Sequence, residues 1–152
     1  MHSTGSIVID RPIDEVFKLT NEYVAEWSIV VVEEERDEQT PDVVGSRFRT
    51  VTEDHGRKME FQGVVTDYDV PTYSAVQLTG DAFDIKAEYT FEDLDGKTRV
   101  TQNSDVQGKG LFKVFFFLFG WAMKKSSCKA AQDEMESLKQ FCEGQAAKTA
   151  EN

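Results

Sequence analysis

A chain of 152 residues is long enough for one domain that buries roughly 68–70% of the surface its unfolded form exposes, so it needs neither a disulfide nor a metal to hold it together. Apolar, aromatic and charged fractions of 39%, 11% and 30% are ordinary for a soluble globular protein. A net charge of -11 argues against nucleic acid, whose phosphates demand a basic surface, and against passive attraction to anionic membranes.

The first ten residues lack a basic start and an apolar core, so no signal peptide is expected. Residues 3–10 read as a strand with Ile7 and Ile9 on one face. Pro12 suits a first helical turn, and Asp14 and Glu15 suit the positive end of a helix dipole. Ile13, Val16, Phe17 and Thr20 give that short helix one apolar stripe, and a second short helix is expected over 21–27 with Tyr23, Val24 and Trp27 as its apolar members. A β-branched strand over 28–36 ends in the acidic run 33–38, which reads as a solvated edge. Strands then follow over 45–53, 57–68, 72–79, 82–93 and 97–107, separated by turn residues. Phe83, Ile85, Ala87, Tyr89 and Phe91 alternate with polar residues, the pattern of a strand buried on one face and wet on the other. In strand 97–107, Val100, Gln102, Ser104 and Val106 share a face. Turned inward, Gln102 and Ser104 bring polar groups that demand partners; turned outward, the strand is a hydrated edge.

The last helix is expected over 111–141, with residues 144–152 fraying. Cys128, Ala131, Met135, Leu138 and Cys142 form its apolar stripe. The two cysteines lie about 21 Å apart along the helix, too far to bridge. They read as reduced thiols and point to a reducing compartment, the cytoplasm. The segment 111–123 holds five of the eleven Phe residues and Trp121, yet it is shorter than the about 20 residues needed to span a bilayer. On an ideal wheel Phe117, Gly120 and Trp121 continue the stripe, whereas Phe112, Phe115, Phe116, Phe119 and Met123 fall on the far side. That far face is either covered by a kink near Gly120 or by loops, or it is a pocket lip, a ligand entry or a homodimer contact through Phe112, Phe116 and Phe119. Lys124 falls in the sector of the stripe and is expected to snorkel to the surface.

The order strand, two short helices, six antiparallel strands, long helix defines an α+β chain. A curved antiparallel sheet of about seven strands must cover its apolar face, and only the last helix is long enough to do so. A cavity between sheet and helix, closed at one end by the short helices, is the natural small-molecule site. The segments IVIDRPIDEVFKLTNEYVAEW (7–27), VVGSRF (43–48), VVTDYDVPTYSAV (64–76), YTFEDLDGKTRVTQNSD (89–105) and DEMESLKQF (133–141) resemble the START-like, or SRPBCC, superfamily. That superfamily includes the birch-pollen-allergen fold and the polyketide cyclase/dehydrase and lipid-transfer families. The resemblance covers nearly all of 3–142 and implies a helix-grip domain over 1–143 with an internal hydrophobic cavity. It implies no particular reaction, because this fold hosts transport, catalysis and regulation alike.

The leading expectation is non-covalent binding of a small hydrophobic or amphipathic molecule, lipid-like or aromatic. Trp27, Met59, Phe61, Phe83, Ile85, Tyr89, Phe117 and Trp121 are the expected wall, with Gln102 and Ser104 orienting the ligand. One alternative is a cyclase or dehydratase acting on a polyketide-like or aromatic substrate, with Tyr89, Asp67 or Asp84 as acid/base groups; a buried acid facing the cavity would favour it. Another is a protein-interaction module, as in the co-chaperone and toxin-like relatives, using the Phe-rich helix start. No metal or cofactor is expected: His2 and His55 lack ligand partners at suitable spacing, and no nucleophile elbow or phosphate loop is present.

Overall fold

The computed structural model describes residues 1–54 and 56–151, with the side chains of residues 116, 120–124 and 146–151 outside the description. The elements follow in the order β1 (His2–Ile9), α1 (Ile13–Glu22), α2 (Val24–Trp27), β2 (Val31–Glu38), β3 (Arg47–Asp54), β4 (Arg57–Asp69), β5 (Tyr73–Thr79), β6 (Phe83–Asp93), β7 (Thr98–Gly108) and α3 (Leu111–Glu151). The seven strands form one curved antiparallel sheet in the order β1-β7-β6-β5-β4-β3-β2. Every pair except β1 with β7 joins strands consecutive in sequence. The helix-grip expectation therefore holds. Helix α3 runs past Phe141, where the sequence reading placed its end, to Glu151.

The alternation in β6 is realised as read: Ala87 and Phe91 are buried while Lys86, Thr90 and Glu92 are exposed. The main core gathers at one side of the sheet. Ile9 of β1, Phe91 of β6 and Val100 of β7 meet Val16 and Phe17 of α1, Trp27 of α2, and Met135, Leu138 and Cys142 of α3. The Phe17 ring sits edge-on to Phe91 at 4.9 Å and to Tyr68 at 5.1 Å. The Cys142 thiol is buried there, and desolvation pushes it up to about 12, so it behaves as a small apolar side chain.

The second half of α3 lies along β1, one edge of the sheet. Gln132 makes this contact specific: its Nε2 donates to Ser6 O at 2.8 Å and its Oε1 accepts from Ser6 N at 3.1 Å. Lys139 Nζ donates to Val8 O at 3.1 Å. Side chains of the helix thus satisfy backbone groups that an edge strand would otherwise offer to another chain. The opposite edge, β2, is protected differently, by the exposed charges of Glu33, Glu35, Asp37 and Glu38. Arg49 of β3 ties this acidic edge down through Glu33 at 3.1 Å and Glu60 at 2.6 Å.

Close docking of α3 requires glycine at position 5, where an added Cβ would lie 2.7 Å from Ala131 O. Both atoms are backbone, so neither can swing aside. Gly5→Val is expected to lose about 1–3 kcal/mol of stability in urea unfolding. Gly144→Ala, at an exposed helical position with open space around it, is expected to gain up to about 1 kcal/mol. Equal stabilities for the two variants would contradict this account of the docking.

Candidate functional site

The sheet face left uncovered between β2 and β6 forms a cavity of about 230 Å³, closed at one end by the α1–α2 junction. Its wall is mostly aliphatic and aromatic: Val24, Val31, Phe48, Val65, Val76 and Leu78 contribute. Pairing places these side chains in rows across the sheet. Ala87 of β6, Val76 of β5 and Val65 of β4 are direct cross-strand neighbours. One step along lies a polar row of Tyr89, Ser74 and Tyr68. A register shift between Val65 and Asp67 puts Tyr68, and not Asp67, opposite Ser74. Asp67 is consequently exposed, and Asp84 is held by Lys109 at 3.0 Å; neither lines the cavity.

Four polar groups define the chemistry. Ser74 is 2% exposed, lines the cavity, and its Oγ has no hydrogen-bond partner among the described residues. Tyr89 accepts a 3.0 Å hydrogen bond from Gln102 Nε2. Desolvation, reinforced by the charge of Glu134, pushes its phenol far up, so it stays neutral and keeps a proton to donate. Glu34 and Arg36 reach the cavity from β2, where a register shift between Val31 and Glu33 aligns them with Thr50 and Phe48. Desolvation raises the Glu34 carboxyl, and Arg36 offsets part of that rise.

Behind the wall, α3 fastens the strand that carries these charges. Glu134 accepts hydrogen bonds from Ile29 N at 2.7 Å, Val30 N at 3.2 Å and Ser28 Oγ at 2.9 Å. Ser137 Oγ donates to Trp27 O. The α2–β2 connection is thereby pinned to the helix. Across the cavity mouth, the turn at 40–46 holds Val43 at φ +68°, a left-handed conformation that a β-branched residue seldom adopts. Thr40 secures it by donating from Oγ1 to Val44 O at 2.8 Å and from its backbone N to Ser46 Oγ at 3.0 Å.

The residues singled out from sequence are distributed unevenly about this site. Tyr89 lines it, and Gln102 reaches it only through Tyr89. Trp27 belongs to the core behind the wall, edge-on to Tyr89 at 6.3 Å, with its Nε1 donating to Thr20 O at 3.0 Å. Ser104 sits beside Ala87 on β7, outside the lining. Met59, Phe61, Phe83 and Ile85 share the inward face but lie beyond the cavity, toward the start of α3. There Phe61 packs beneath Gly80, and the Phe83 ring meets Phe112 at 5.0 Å. Phe117 is 86% exposed and does not continue the core stripe. The tight approach of Gly108 to the Phe112 backbone sets how the helix leaves β7, and Phe112 rather than Phe117 turns toward the sheet. No described residue of α3 lines the cavity; its walls are the sheet, the α1–α2 junction and the β2–β3 connection with Gln39, Val43 and Ser46. Trp121, Phe116, Lys124 and His55 lie outside the described residues. Glu34, Arg36, Tyr68 and Ser74 were not anticipated. The acidic run hid the first two by masking the strand's inward phase. The register shift in β4 hid Tyr68.

Among the described residues no group of side chains could hold a metal ion, and no helix is long and apolar enough to cross a membrane. A family model described as polyketide cyclase/dehydrase and lipid transport matches residues 1–143. No curated protein matches the sequence significantly. Solved structures with the same fold include a protein of Thermus thermophilus, at 15% identity over 95% of this chain and 98% of that one, with a TM-score of 0.78. A START superfamily protein of Mycobacterium smegmatis aligns at 15% identity over 97% and 98%, with a TM-score of 0.71. The Zhui aromatase/cyclase of a Streptomyces species aligns at 14% over 94% and 93%, with a TM-score of 0.73.

The raised Glu34 carboxyl has a consequence for stability. Folding favours its neutral form, so its contribution is fully present below the unfolded value and is lost as pH rises through the folded one. Glu34→Gln is therefore expected to be more stable than the parent at pH 7, with the difference shrinking toward about pH 4. Urea unfolding across that range checks the sign; a variant less stable than the parent at neutral pH would refute it.

Proposed function

Because the chain belongs to the polyketide cyclase/dehydrase and lipid transport family, we propose that it binds one small amphipathic molecule in the cavity between β2–β6 and the α1–α2 junction. The observation that carries this reading is the unpartnered Ser74 hydroxyl, buried in the cavity wall beside Val65, Val76 and Leu78. A buried hydroxyl without a partner costs about 1–3 kcal/mol. A ligand carbonyl or hydroxyl placed between Ser74 and Tyr89 removes that cost while its apolar body lies on Val65, Val76 and Leu78. The volume of about 230 Å³ lies below the usual ligand-pocket range of about 300–1,000 Å³, so the ligand is small or projects past the rim at Arg36. The two free cysteines suit a reducing compartment, and we place the protein in the cytoplasm.

Native mass spectrometry of the purified protein is expected to find a retained small molecule, or uptake of an apolar fluorescent probe at a ratio of one to one. Val76→Trp, which fills the cavity, is expected to weaken probe binding about tenfold or more while the circular dichroism spectrum is unchanged. Equal binding by parent and filled variant would overturn the assignment.

Glu34 supports a second reading, a dehydratase or cyclase. A carboxyl whose protonated form is favoured by burial can hand its proton to a departing hydroxyl or an enolising carbonyl at the wall. Under this reading Glu34→Gln keeps probe binding but slows dehydration of a β-hydroxyketone substrate by about 10²–10⁴-fold. Unchanged turnover in that variant would exclude Glu34 as the acid.

A further inference from the structure

We propose that the first half of α3 docks on an anionic lipid bilayer, lying in the interface with Leu111, Val114, Phe117 and Leu118 buried at the headgroup–acyl boundary. These four side chains are 87%, 56%, 86% and 54% exposed, and Phe115 and Phe119 beside them are about half exposed. A contiguous apolar face of this kind on a protein surface calls for a partner.

Charge identifies the partner. The chain is acidic overall, with 28 Asp and Glu against 17 Lys and Arg. Between residues 106 and 132, however, there is not one acidic residue, while Lys109, Lys113, Lys124, Lys125 and Lys129 all fall there. Lys113 and Lys125 are exposed. Lys109 is paired with Asp84 and Lys129 with Asp133, so the exposed Lys113 and Lys125 carry the positive charge beside the apolar face, and that combination matches a surface that is greasy beneath and negative on top. A second copy of the chain fits less well, because a two-fold contact through this helix would bring together two stretches that carry lysines and no acid. The remaining acidic surface would be repelled by the same bilayer, which orients the molecule helix-first.

The helix start is held rigidly for this role. Lys109 is anchored to Asp84 at 3.0 Å and to Gly80 O at 2.8 Å. Gly110 turns the chain at φ +57°, and the Phe83–Phe112 ring contact fixes the first turn against β6. The apolar side chains are thus presented without an ordering cost at the moment of contact. The apolar run 111–123 is shorter than the about 20 residues a bilayer crossing needs, so in this proposal it lies on the membrane. The inference is independent of what the cavity holds.

The test is co-sedimentation of the intact protein with vesicles of phosphatidylcholine alone and of phosphatidylcholine mixed with phosphatidylglycerol. Binding is expected to the mixed vesicles at low salt, weakening as salt is raised. Phe117→Ser with Leu118→Ser, and separately Lys113→Gln with Lys125→Gln, are each expected to reduce it about tenfold or more with the circular dichroism unchanged. No binding by the parent, equal binding to both vesicle types, or a stable solution dimer dissolved by Phe117→Ser with Leu118→Ser would overturn the proposal.

Discussion

At Gly5 the backbone of α3 comes so close to β1 that a methyl group would sit 2.7 Å from the Ala131 carbonyl oxygen. Gln132, the next residue, reads both backbone groups of Ser6. These contacts fix where along the sheet the helix lies and how closely. Because α3 is held over β1 and β7, its core stripe of Met135, Leu138 and Cys142 meets Ile9, Val100 and the two short helices. The same placement leaves the faces of β3, β4 and β5 without a helical cover.

The cavity is a consequence of that asymmetry. Its position at the α1–α2 end follows from Glu134, whose carboxylate draws the backbone of Ile29 and Val30 toward the helix and sets where β2 begins. Val31, Glu34 and Arg36 then fall on the inner face. Core and site share parts: Trp27 packs in the core on one side and against Tyr89 on the other, and Tyr89 lines the cavity. A perturbation of the helix-to-sheet docking therefore reaches the cavity without touching any residue that lines it.

The architecture was legible because each element carries a strong local signal. The alternation of Phe83 to Phe91, the Pro12 start of α1 and the stripe from Cys128 to Cys142 specify period and phase without help from tertiary contacts. Their order then leaves one way to cover the sheet. The site was less legible for two physical reasons. Register shifts in β2 and β4 change which residues face inward, and a strict period of two cannot register them. Tyr68 was missed on that account, and Glu34 because the surrounding acidic run masks the inward phase of β2. The second reason concerns α3. The wheel phase that works for its second half fails for Phe117, because the first half is positioned by Gly108 and Phe112 and not by the core. Large aromatic residues were expected on the wall, yet Phe61 and Trp27 are 2% exposed because they fill space rather than border it.

The polar row across the cavity distinguishes it from a packing defect. A void left by imperfect packing is lined by whatever apolar residues surround it, and water or nothing fills it. Here the interior carries a hydroxyl without a partner at Ser74, a neutral phenol at Tyr89 and a carboxyl driven toward its protonated form at Glu34. Each is less favourable in an empty apolar space than an alanine or valine would be. Tyr89 is satisfied from behind by Gln102, so its hydroxyl proton is available to the cavity. Tyr89 and Ser74 are direct neighbours across β5 and β6, so a single acceptor oxygen could engage both. An amphipathic occupant with one buried oxygen and an apolar body satisfies both hydroxyls at once. A purely hydrocarbon occupant would leave the Ser74 desolvation cost in place.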